Sequence, residues 1–370
     1  MTAPSAQVLI VGAGPSGLAA ALFLTRRGVT VRLIDAAPCP TTTSKALAVN
    51  PRTLELLEPT GVADRIRQQG QPISAIRFAH EAHVIATVRP DWVRIAPSRP
   101  MTILPQAATE ALLAEALAAL GVQPERGVGL TTLSQTPDAV IATLSTGERV
   151  VTALLLGADG AHSEVRHALN LDLPGDSSPL PWFLMDVDIE GAPPDEARIE
   201  FQRAGPIVVL PFSGGTFRLI GFGADLLPRL PRHWRVGTVH WSSEFRVSHR
   251  MVTSMAVGRV ALAGDAAHIH SPVGGRGMNL GIEDAYVFAA CAADALNGDL
   301  GRLNDYARLR GEVDGAWVKT ARRLTDFVRD QSLEARLFKR IVPPIAAALP
   351  GLVNQALKRG LGLDHPTAVR

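Results

Sequence analysis

The segment VLIVGAGPSG, residues 8–17, restricts the fold of this chain more than any other part of it. A short apolar run ends in glycine, and PSGLAAALFLTRRG follows with apolar residues at helical spacing and Gly28 as a stop signal. The alternating VTVRLID then indicates a second strand that ends at Asp35. Strand, glycine turn, helix and strand predict a βαβ unit of the dinucleotide-binding type.

Each glycine of GAGPSG has a separate predicted role. Gly12 permits the tight turn, Gly14 lets a pyrophosphate approach the backbone, and Gly17 lets helix and strand pack closely. The N-terminus of the helix offers free N–H groups to the phosphates. Asp35 is placed to accept a hydrogen bond from a ribose hydroxyl and disfavours a 2′-phosphate, so the pattern favours the adenosine of FAD or NAD over that of NADP.

The composition changes after the first half of the chain. Between residues 174 and 259 prolines are frequent and short strands alternate, which indicates an antiparallel sheet. We therefore predict an α/β chain with a Rossmann-like FAD-binding domain, an inserted, mostly antiparallel substrate sheet and C-terminal helices. The predicted bounds are 1–70, 101–170 and 259–330 for the FAD-binding domain, 71–100 and 171–258 for the substrate domain, and 331–370 for the C-terminal helical segment.

Charge and composition exclude several classes of protein. Of the 370 residues 46% are hydrophobic and 19% charged, the net charge is +2, and no basic block occurs, so we expect no nucleic-acid partner. Cys39 and Cys291 show no metal spacing; pairing stays open, but a reduced cytoplasmic chain is the simpler interpretation. The apolar residues 341–353 are too few to span a bilayer and contain prolines, which favours a pair of packed helices and leaves peripheral membrane contact open.

Two further stretches join an apolar strand to a glycine-rich turn. In LLLGADGAHSEVR, Asp159 is either a turn former or a ligand-binding acid. In GDAAHIHSPVGGRGMNLGIEDA, Asp265 follows a strand and is placed to bind a ligand hydroxyl, and residues 272–279 form a loop next to the ligand. His268 and His270 lack the spacing of a helical zinc site, so we expect no metal and a structural role for both.

The three motifs, in this order and spacing, resemble the single-component flavoprotein aromatic hydroxylases of the para-hydroxybenzoate hydroxylase type. GAGPSG with Asp35 resembles the ADP-binding fingerprint of that family, GADGAHSEVR its Asp-Gly motif and GDAAHIHSPVGGRGMN its Gly-Asp motif. The resemblance covers nearly the whole chain. Relatives with longer chains carry a thioredoxin-like C-terminal domain, which we expect to be absent here.

The resemblance implies a role for individual residues. Asp265 would bind the ribityl or pyrophosphate part of FAD, Gln106 the same region, and Leu130 the adenine through its backbone. Lys45 replaces an arginine of the family, and Arg276 stands where glutamine is common; we expect Arg276 to face solvent, with a positive charge near the flavin as the alternative. The cofactor-binding residues implied in this way are Gly12, Gly14, Pro15, Ser16, Gly17, Asp35, Lys45, Gln106, Leu130, Asp159, Gly160, Asp265, Pro272, Gly275, Gly277, Met278 and Asn279.

The family's chemistry is implied as well: NADH or NADPH reduces FAD, and a C4a-hydroperoxyflavin formed with O2 hydroxylates an aromatic small molecule. The sequence assigns no catalytic side chain. Aromatic side chains of the predicted sheet are substrate candidates, namely Trp182, Phe201, Phe212 and Phe222. Two alternatives stay open, another flavin-dependent oxidoreductase on this scaffold and a flavin-binding redox module without turnover. The oligomeric state, monomer or homodimer, is also left open.

Overall fold

A computed structural model describes residues 6–42, 46–89 and 100–367. The helices in these ranges are α1 Pro15–Thr25, α2 Pro51–Leu57, α3 Val62–Gln69, α4 Gln106–Ala118, α5 Glu164–Ala168, α6 Gly277–Leu296, α7 Arg302–Arg329, α8 Leu333–Ala347 and α9 Pro350–Gly360. None of them is long and apolar enough to cross a membrane.

The strands in the same ranges are β1 Val8–Val11, β2 Val31–Asp35, β3 Ala48–Val49, β4 Gln71–Pro72, β5 Ala75–His80, β6 His83–Val88, β7 Thr102–Ile103, β8 Glu125–Arg126, β9 Leu130–Gln135, β10 Val140–Leu144, β11 Arg149–Thr152, β12 Leu154–Gly157, β13 Gly175–Glu190, β14 Glu196–Phe201, β15 Ile207–Ser213, β16 Thr216–Phe222, β17 Arg235–Met251, β18 Ala256–Val257, β19 Val260–Leu262 and β20 His268–Ile269.

A six-stranded sheet in the order β18-β19-β12-β1-β2-β8 forms the centre of the Rossmann-like part. Strands β19, β12, β1, β2 and β8 are parallel to one another, whereas β18 is antiparallel to β19. All four residues of β1 are buried, as expected for a parallel strand covered on both faces. Helices α1 and α6 contribute to the same hydrophobic core. The carboxyl ends of these parallel strands therefore meet at one edge, where ligands bind in such sheets.

An eight-stranded sheet in the order β20-β17-β13-β16-β15-β14-β5-β6 forms the second layer. Its ladders are antiparallel except between β14 and β5. A smaller core of its own lies on this sheet and includes Val187, Phe217 and Leu219. The predicted α/β fold with an inserted, mostly antiparallel sheet and C-terminal helices is confirmed, whereas the residue bounds of the domains remain a prediction.

One local prediction changes in detail. The stretch RTLELLEPTGVADRI predicts a single helix, but the structure has α2, a 3-10 turn and α3 in its place. The break lies at Gly61, whose φ of 76° is left-handed and ends the 3-10 turn. A left-handed glycine is a common end point of a helix because it meets no Cβ penalty.

Candidate active site

A cleft of about 1280 Å³ lies between the carboxyl edge of the six-stranded sheet and one face of the eight-stranded sheet. The turns that follow β1, β2, β12 and β19 line one wall, together with the first residues of α4 and α6. Side chains of β13, β15, β16 and β17 line the opposite wall. Every motif singled out in the sequence therefore reaches the same space.

Most residues predicted to bind the cofactor line this cleft: Gly14, Pro15, Ser16, Asp35, Gln106, Gly160, Asp265, Pro272, Gly275, Gly277 and Met278. Five others, Gly12, Gly17, Leu130, Asp159 and Asn279, are not among the lining residues. Lys45 falls outside the described part of the chain. The binding roles of all these residues remain predictions.

The three glycines of the first motif meet different surroundings. A Cβ at Gly12 would lie 2.3 Å from the Ala158 carbonyl oxygen, and one at Gly17 would lie 1.8 Å from the Gly12 oxygen. A Cβ at Gly14 would have no described atom within 4 Å. Gly12 and Gly17 are thus required by packing, whereas Gly14 leaves its backbone open to the cleft for a pyrophosphate.

The Asp35 carboxylate is held at the end of β2 by backbone donors. Its Oδ2 accepts from the Ala13 N–H at 2.6 Å and its Oδ1 from the Ala37 N–H at 2.7 Å. Arg126 forms an ion pair with it at 3.2 Å. A carboxylate has about four acceptor positions, so Asp35 retains the capacity to accept from a ribose hydroxyl.

Two helix N-termini converge on the cleft at Ser16. A Cβ at Gly264 or at Gly281 would lie 2.5 or 2.2 Å from the Ser16 hydroxyl oxygen. The start of α1 therefore packs closely against α6 and against the turn at Gly264. Helix α6 begins at Gly277, within the stretch 272–279 that was predicted as a loop. The first N–H groups of a helix have no partner within the helix and carry its positive dipole end, which makes both termini suited to a negatively charged ligand.

The Gly-Asp motif keeps its shape through buried side chains of α6. Asp265 is exposed in a 3-10 turn, Gly264–Ala266, that faces the cleft. Asn279 is fully buried, and its amide donates to the oxygens of Ala48 and Gly275, both at 2.8 Å. Its own oxygen accepts from the Asn50 N–H at 2.9 Å. The side chain of Asn279 therefore fixes the loop, and only its backbone remains for the predicted contact with a ligand.

His268 belongs to a buried ion-pair network behind this loop. Its Nε2 lies 2.7 Å from Asp284 Oδ2, which also accepts from the Gly264 N–H at 2.9 Å. Burial alone would lower the pKa of His268, but Asp314 and Asp284 raise the pKa to about 9. Arg310 and His268 lower the pKa of Asp284 below its usual range despite its burial. His268 is thus a protonated structural residue.

His268, Asp284 and Asp314 bring potential metal ligands within 4.8 Å of one another, which the sequence spacing did not reveal. Arg310 already occupies this cluster: its Nε donates to Asp284 at 2.7 Å and its Nη2 to Asp314 at 2.6 Å. A guanidinium between the two carboxylates supplies the positive charge that a metal would bring. We therefore interpret the cluster as an ion-pair network.

The second histidine of the motif lines the cleft as a neutral side chain. His270 Nδ1 lies 2.8 Å from the Ser271 oxygen, so this nitrogen carries the proton and donates. Burial lowers the pKa of His270 to about 3. It packs edge-on against Trp317, with ring centres 6.1 Å apart.

Arg276 does not face solvent, and that expectation was wrong. Its side chain is 2% exposed, stacks over the Trp317 ring at 4.6 Å and donates to Glu283 at 3.1 Å. It also donates to the carbonyl oxygen of Arg359 at 3.1 Å, near the end of α9. His365 reaches the other oxygen of Glu283 at 2.7 Å. Arg276 directly precedes α6 and thus ties the start of this helix to the C-terminal segment.

Asp159 acts as a local cap in this structure. It accepts from the Ser163 hydroxyl at 2.5 Å and the Val165 N–H at 3.2 Å, and burial raises its pKa. The neighbouring Arg166 lines the cleft and donates to the oxygens of Ala266 and Ala161 at 3.1 and 3.0 Å. Arg166 therefore ties the Asp-Gly motif to the Gly-Asp motif. Arg166 stands in the Asp-Gly motif, but its place in the sequence did not indicate this role.

Sequence reasoning also missed two charged residues at the adenosine end. Glu110 follows Gln106 by one helical turn and accepts from its amide at 2.9 Å. Burial raises the pKa of Glu110. Arg126, on β8, lines the cleft beside it and pairs with Asp35. The i, i+4 spacing of Gln106 and Glu110 could have revealed Glu110, whereas no sequence pattern pointed to Arg126.

The sheet wall differs from the predicted set of aromatic residues. Its lining side chains include Leu184, Leu210, Arg218, Ile220 and Phe245. The four substrate candidates, Trp182, Phe201, Phe212 and Phe222, are not among the lining residues. Trp182 lies opposite Phe245 in the β13–β17 ladder, on the same face of the sheet, and is buried beside it with the ring centres 6.4 Å apart. Trp182 and Phe222 stand two residues from the lining Leu184 and Ile220, so they share the face of the sheet that meets the cleft but lie farther along their strands.

Arg218 is the one arginine of the wall that is almost completely buried and yet lines the cleft. It forms a bidentate pair with Asp186, with both distances 2.7 Å. The rings of Phe212 and Trp241 lie 5.4 and 5.3 Å from its guanidinium carbon. The wall thus combines apolar side chains with the buried Arg218 and with Arg246 and Arg250 of β17, a mixture suited to an aromatic ligand that carries polar substituents.

The residues present fit an FAD molecule. An open backbone at Gly14, two helix N-termini for phosphates and an acid at the end of β2 for the ribose all border one elongated cleft. Asp265 adds an acceptor farther along the same edge. Hydroxyl-bearing and phosphate-bearing parts of one ligand would each meet a suitable group.

Comparisons with known proteins agree with this geometry. The chain is 38% identical over 346 residues to 6-methylpretetramide 4-monooxygenase of Streptomyces rimosus, covering 87% of this chain and 62% of that protein. It is 34% identical over 306 residues to pentachlorophenol 4-monooxygenase of Sphingobium chlorophenolicum, covering 76% and 57%. The crystal structure of p-nitrophenol 4-monooxygenase PnpA from Pseudomonas putida DLL-E4 superposes with a TM-score of 0.87 at 22% identity, over 96% of this chain and 98% of that one, which shows a shared fold.

The chain spans about three fifths of the length of these two curated relatives. The sequence profile of the family described as FAD binding domain matches residues 5–218 and 227–321. These residues include all three glycine motifs and most of the residues that line the cleft. The chain therefore belongs to the FAD-binding domain family, and its resemblance to the single-component flavoprotein aromatic hydroxylases is confirmed.

Proposed function

We propose that this chain is an FAD-dependent monooxygenase that consumes NADH or NADPH and O2 and hydroxylates an aromatic small molecule. The observation that carries the proposal is the cleft that joins the FAD-type edge of one sheet to the aromatic and aliphatic side chains on the wall of the other. FAD supplies the redox and oxygen-activating chemistry when bound. The names of the two curated relatives, both monooxygenases of cyclic or aromatic compounds, support it.

The chain's own residues bind, orient and exclude water. The N–H groups at the start of α6 are placed to stabilise negative charge on the ring system beside them, by roughly 0.3–2 kcal/mol for a helix terminus. Leu184, Ile220 and Phe245 offer a dry surface for an aromatic substrate. Arg218, held by Asp186, would place a positive charge beside a polar group of that substrate. We further propose a cytoplasmic location, supported by two unpaired cysteines.

The test is reduction of the bound flavin and transfer of oxygen. Purified protein loaded with FAD is mixed with NADH or NADPH and a panel of phenolic, heteroaromatic and polyketide compounds. We expect one class to accelerate bleaching of the flavin absorbance and to gain one oxygen atom from labelled dioxygen. Bleaching with release of peroxide and no product would mean that the substrate lies outside the panel. Absence of bleaching with every compound would contradict a monooxygenase and favour a flavin-binding module.

A further inference from the structure

The turn at the end of α9, residues 359–365, packs on the residues that begin α6; we call it the α9 turn. The carbonyl oxygen of Arg359 accepts from Arg276 at 3.1 Å, and His365 Nε2 donates to Glu283 Oε2 at 2.7 Å. Gly362 is buried against this pair, since a Cβ on it would lie 2.7 Å from Arg276 Nη2 and 2.9 Å from Glu283 Oε1. The α9 turn therefore covers the buried Arg276–Glu283 pair at van der Waals distance.

A second set of contacts joins the α9 turn to the start of α2. The Arg52 guanidinium donates to two carbonyl oxygens of the α9 turn, at 2.8 and 3.1 Å. On either side of Arg52, the Asn50 N–H and the Thr53 hydroxyl donate to the side-chain oxygen of Asn279, at 2.9 and 2.7 Å. The same turn of α2 thus contacts the α9 turn on one side and Asn279 on the other.

Both sets of contacts bear on residues 272–279, which run into the first turn of α6 and which we call the flavin loop. Its two polar side chains, Arg276 and Asn279, are 2% and 0% exposed and do not line the cleft. The cleft instead meets Gly275, Gly277 and Met278. Three residues of the loop are glycines, which have little conformational preference of their own, so its shape depends on the supports behind it.

We propose that the α9 turn positions the flavin loop for FAD, with Arg52, Gly362 and His365 as positioning residues. None of the three lines the cleft. A ligand that binds only the correctly shaped loop loses apparent affinity in proportion to the fraction of molecules in that shape. The proposal rests on FAD binding by this chain, as proposed above. A wild-type chain without affinity for FAD would overturn both proposals, whereas variants of the α9 turn that bind FAD as tightly as the wild type would overturn this one alone.

The experiment compares two glycine substitutions in the full chain by the FAD dissociation constant, from quenching of flavin fluorescence, and by the thermal midpoint of the FAD-free protein. Gly362→Ala brings a methyl against Arg276 and Glu283. We expect its dissociation constant to rise about tenfold, as for a loop that is correctly shaped about one tenth of the time. Gly61→Ala is the matched control, because its φ of 76° is close to the 74° of Gly362 but its methyl meets no described atom within 4 Å. Both substitutions should lower the midpoint, and only Gly362→Ala should weaken FAD binding.

Substitutions of the two other positioning residues test the individual contacts. Arg52→Met removes the link to α2, and His365→Phe removes the donor to Glu283, so both should raise the dissociation constant. His365→Gln keeps a donor at a similar reach and should bind FAD nearly as the wild type does. Equal affinities of the glutamine and phenylalanine variants would overturn the proposal, and so would equal effects of Gly362→Ala and Gly61→Ala on FAD binding. A lowered midpoint with unchanged FAD affinity in Gly362→Ala would show that the α9 turn stabilises the fold alone, and would overturn it as well.

Discussion

Asp265 is the exposed acid of the Gly-Asp motif, and its predicted role is to hold the hydroxyl-bearing chain of FAD. We expect Asp265→Ala to weaken FAD binding about tenfold to a hundredfold, since a hydrogen bond to a charged group contributes about 1.5–3 kcal/mol. The measurement is the flavin content of the purified variant and its FAD dissociation constant by calorimetry. Asp138→Ala, in the exposed turn before β10, removes the same charge elsewhere and should leave both unchanged. Undiminished flavin in the Asp265 variant would rule the assignment out.

Arg276 pairs with Glu283, a fully buried carboxylate. Burial alone would raise the pKa of Glu283, but His365, Arg276 and Arg310 lower it below its usual range. We expect Arg276→Met to lower stability by about 3 kcal/mol, because it leaves a buried charge without one of its partners. The thermal midpoint should fall by several degrees, and Arg276→Met combined with Glu283→Gln should lose less than the sum of the two single variants. Additive losses would show that the two side chains do not act as a pair.

At the scale of an element, the β1–α1 turn separates packing from binding. Gly17→Ala should prevent correct folding, because the methyl would lie 1.8 Å from the Gly12 oxygen. Gly14→Ala should fold with an unchanged thermal midpoint in the absence of FAD, because the methyl meets no described atom within 4 Å. It should nevertheless retain much less FAD, since the methyl takes the space of the pyrophosphate. Equal effects of the two substitutions on the midpoint would contradict this division.

The network that joins α6 and α7 to the Gly-Asp turn predicts a pH dependence of stability. His268 has its pKa raised from 6.5 to about 9, so the native protein binds this proton more tightly than the unfolded chain does. The resulting stabilisation, on the order of 3 kcal/mol, is complete below pH 6.5 and is lost as the pH rises to about 9.

His268→Gln should therefore have a lower thermal midpoint than the wild type at pH 6.5, and the difference should shrink towards pH 9. Differential scanning fluorimetry across this range measures it. His233→Gln, at an exposed histidine of the loop before β17, is the control and should follow the wild type throughout. A difference between wild type and His268→Gln that stays constant with pH would show that the histidine is not protonated in the native state.

For the whole molecule, the sequence predicted the FAD-type edge better than the sheet wall for a physical reason. Phosphate and ribose sites depend on local backbone turns, so residues 12–17 and 264–279 reveal them through glycine spacing. Long-range contacts left no such trace: Arg126 reaches Asp35 across the sheet, and Arg276 contacts the end of α9. Trp182 and Phe222 share a strand and a face with the lining residues Leu184 and Ile220, but the sequence did not reveal how far along each strand the cleft extends.

The two walls of the cleft predict separable effects on cofactor and substrate. Phe245 lines the cleft, whereas Trp182 is buried beside it and does not line the cleft, so Phe245→Ala should raise the KM of an aromatic substrate about tenfold to a hundredfold with unchanged flavin content. That range corresponds to losing roughly 1.5–3 kcal/mol of buried aromatic contact. Trp182→Phe, which keeps the core filled, should change KM little. Steady-state oxidation of NADH or NADPH against substrate concentration measures both. The opposite ranking of the two variants would return Trp182 to the substrate site and place Phe245 outside it.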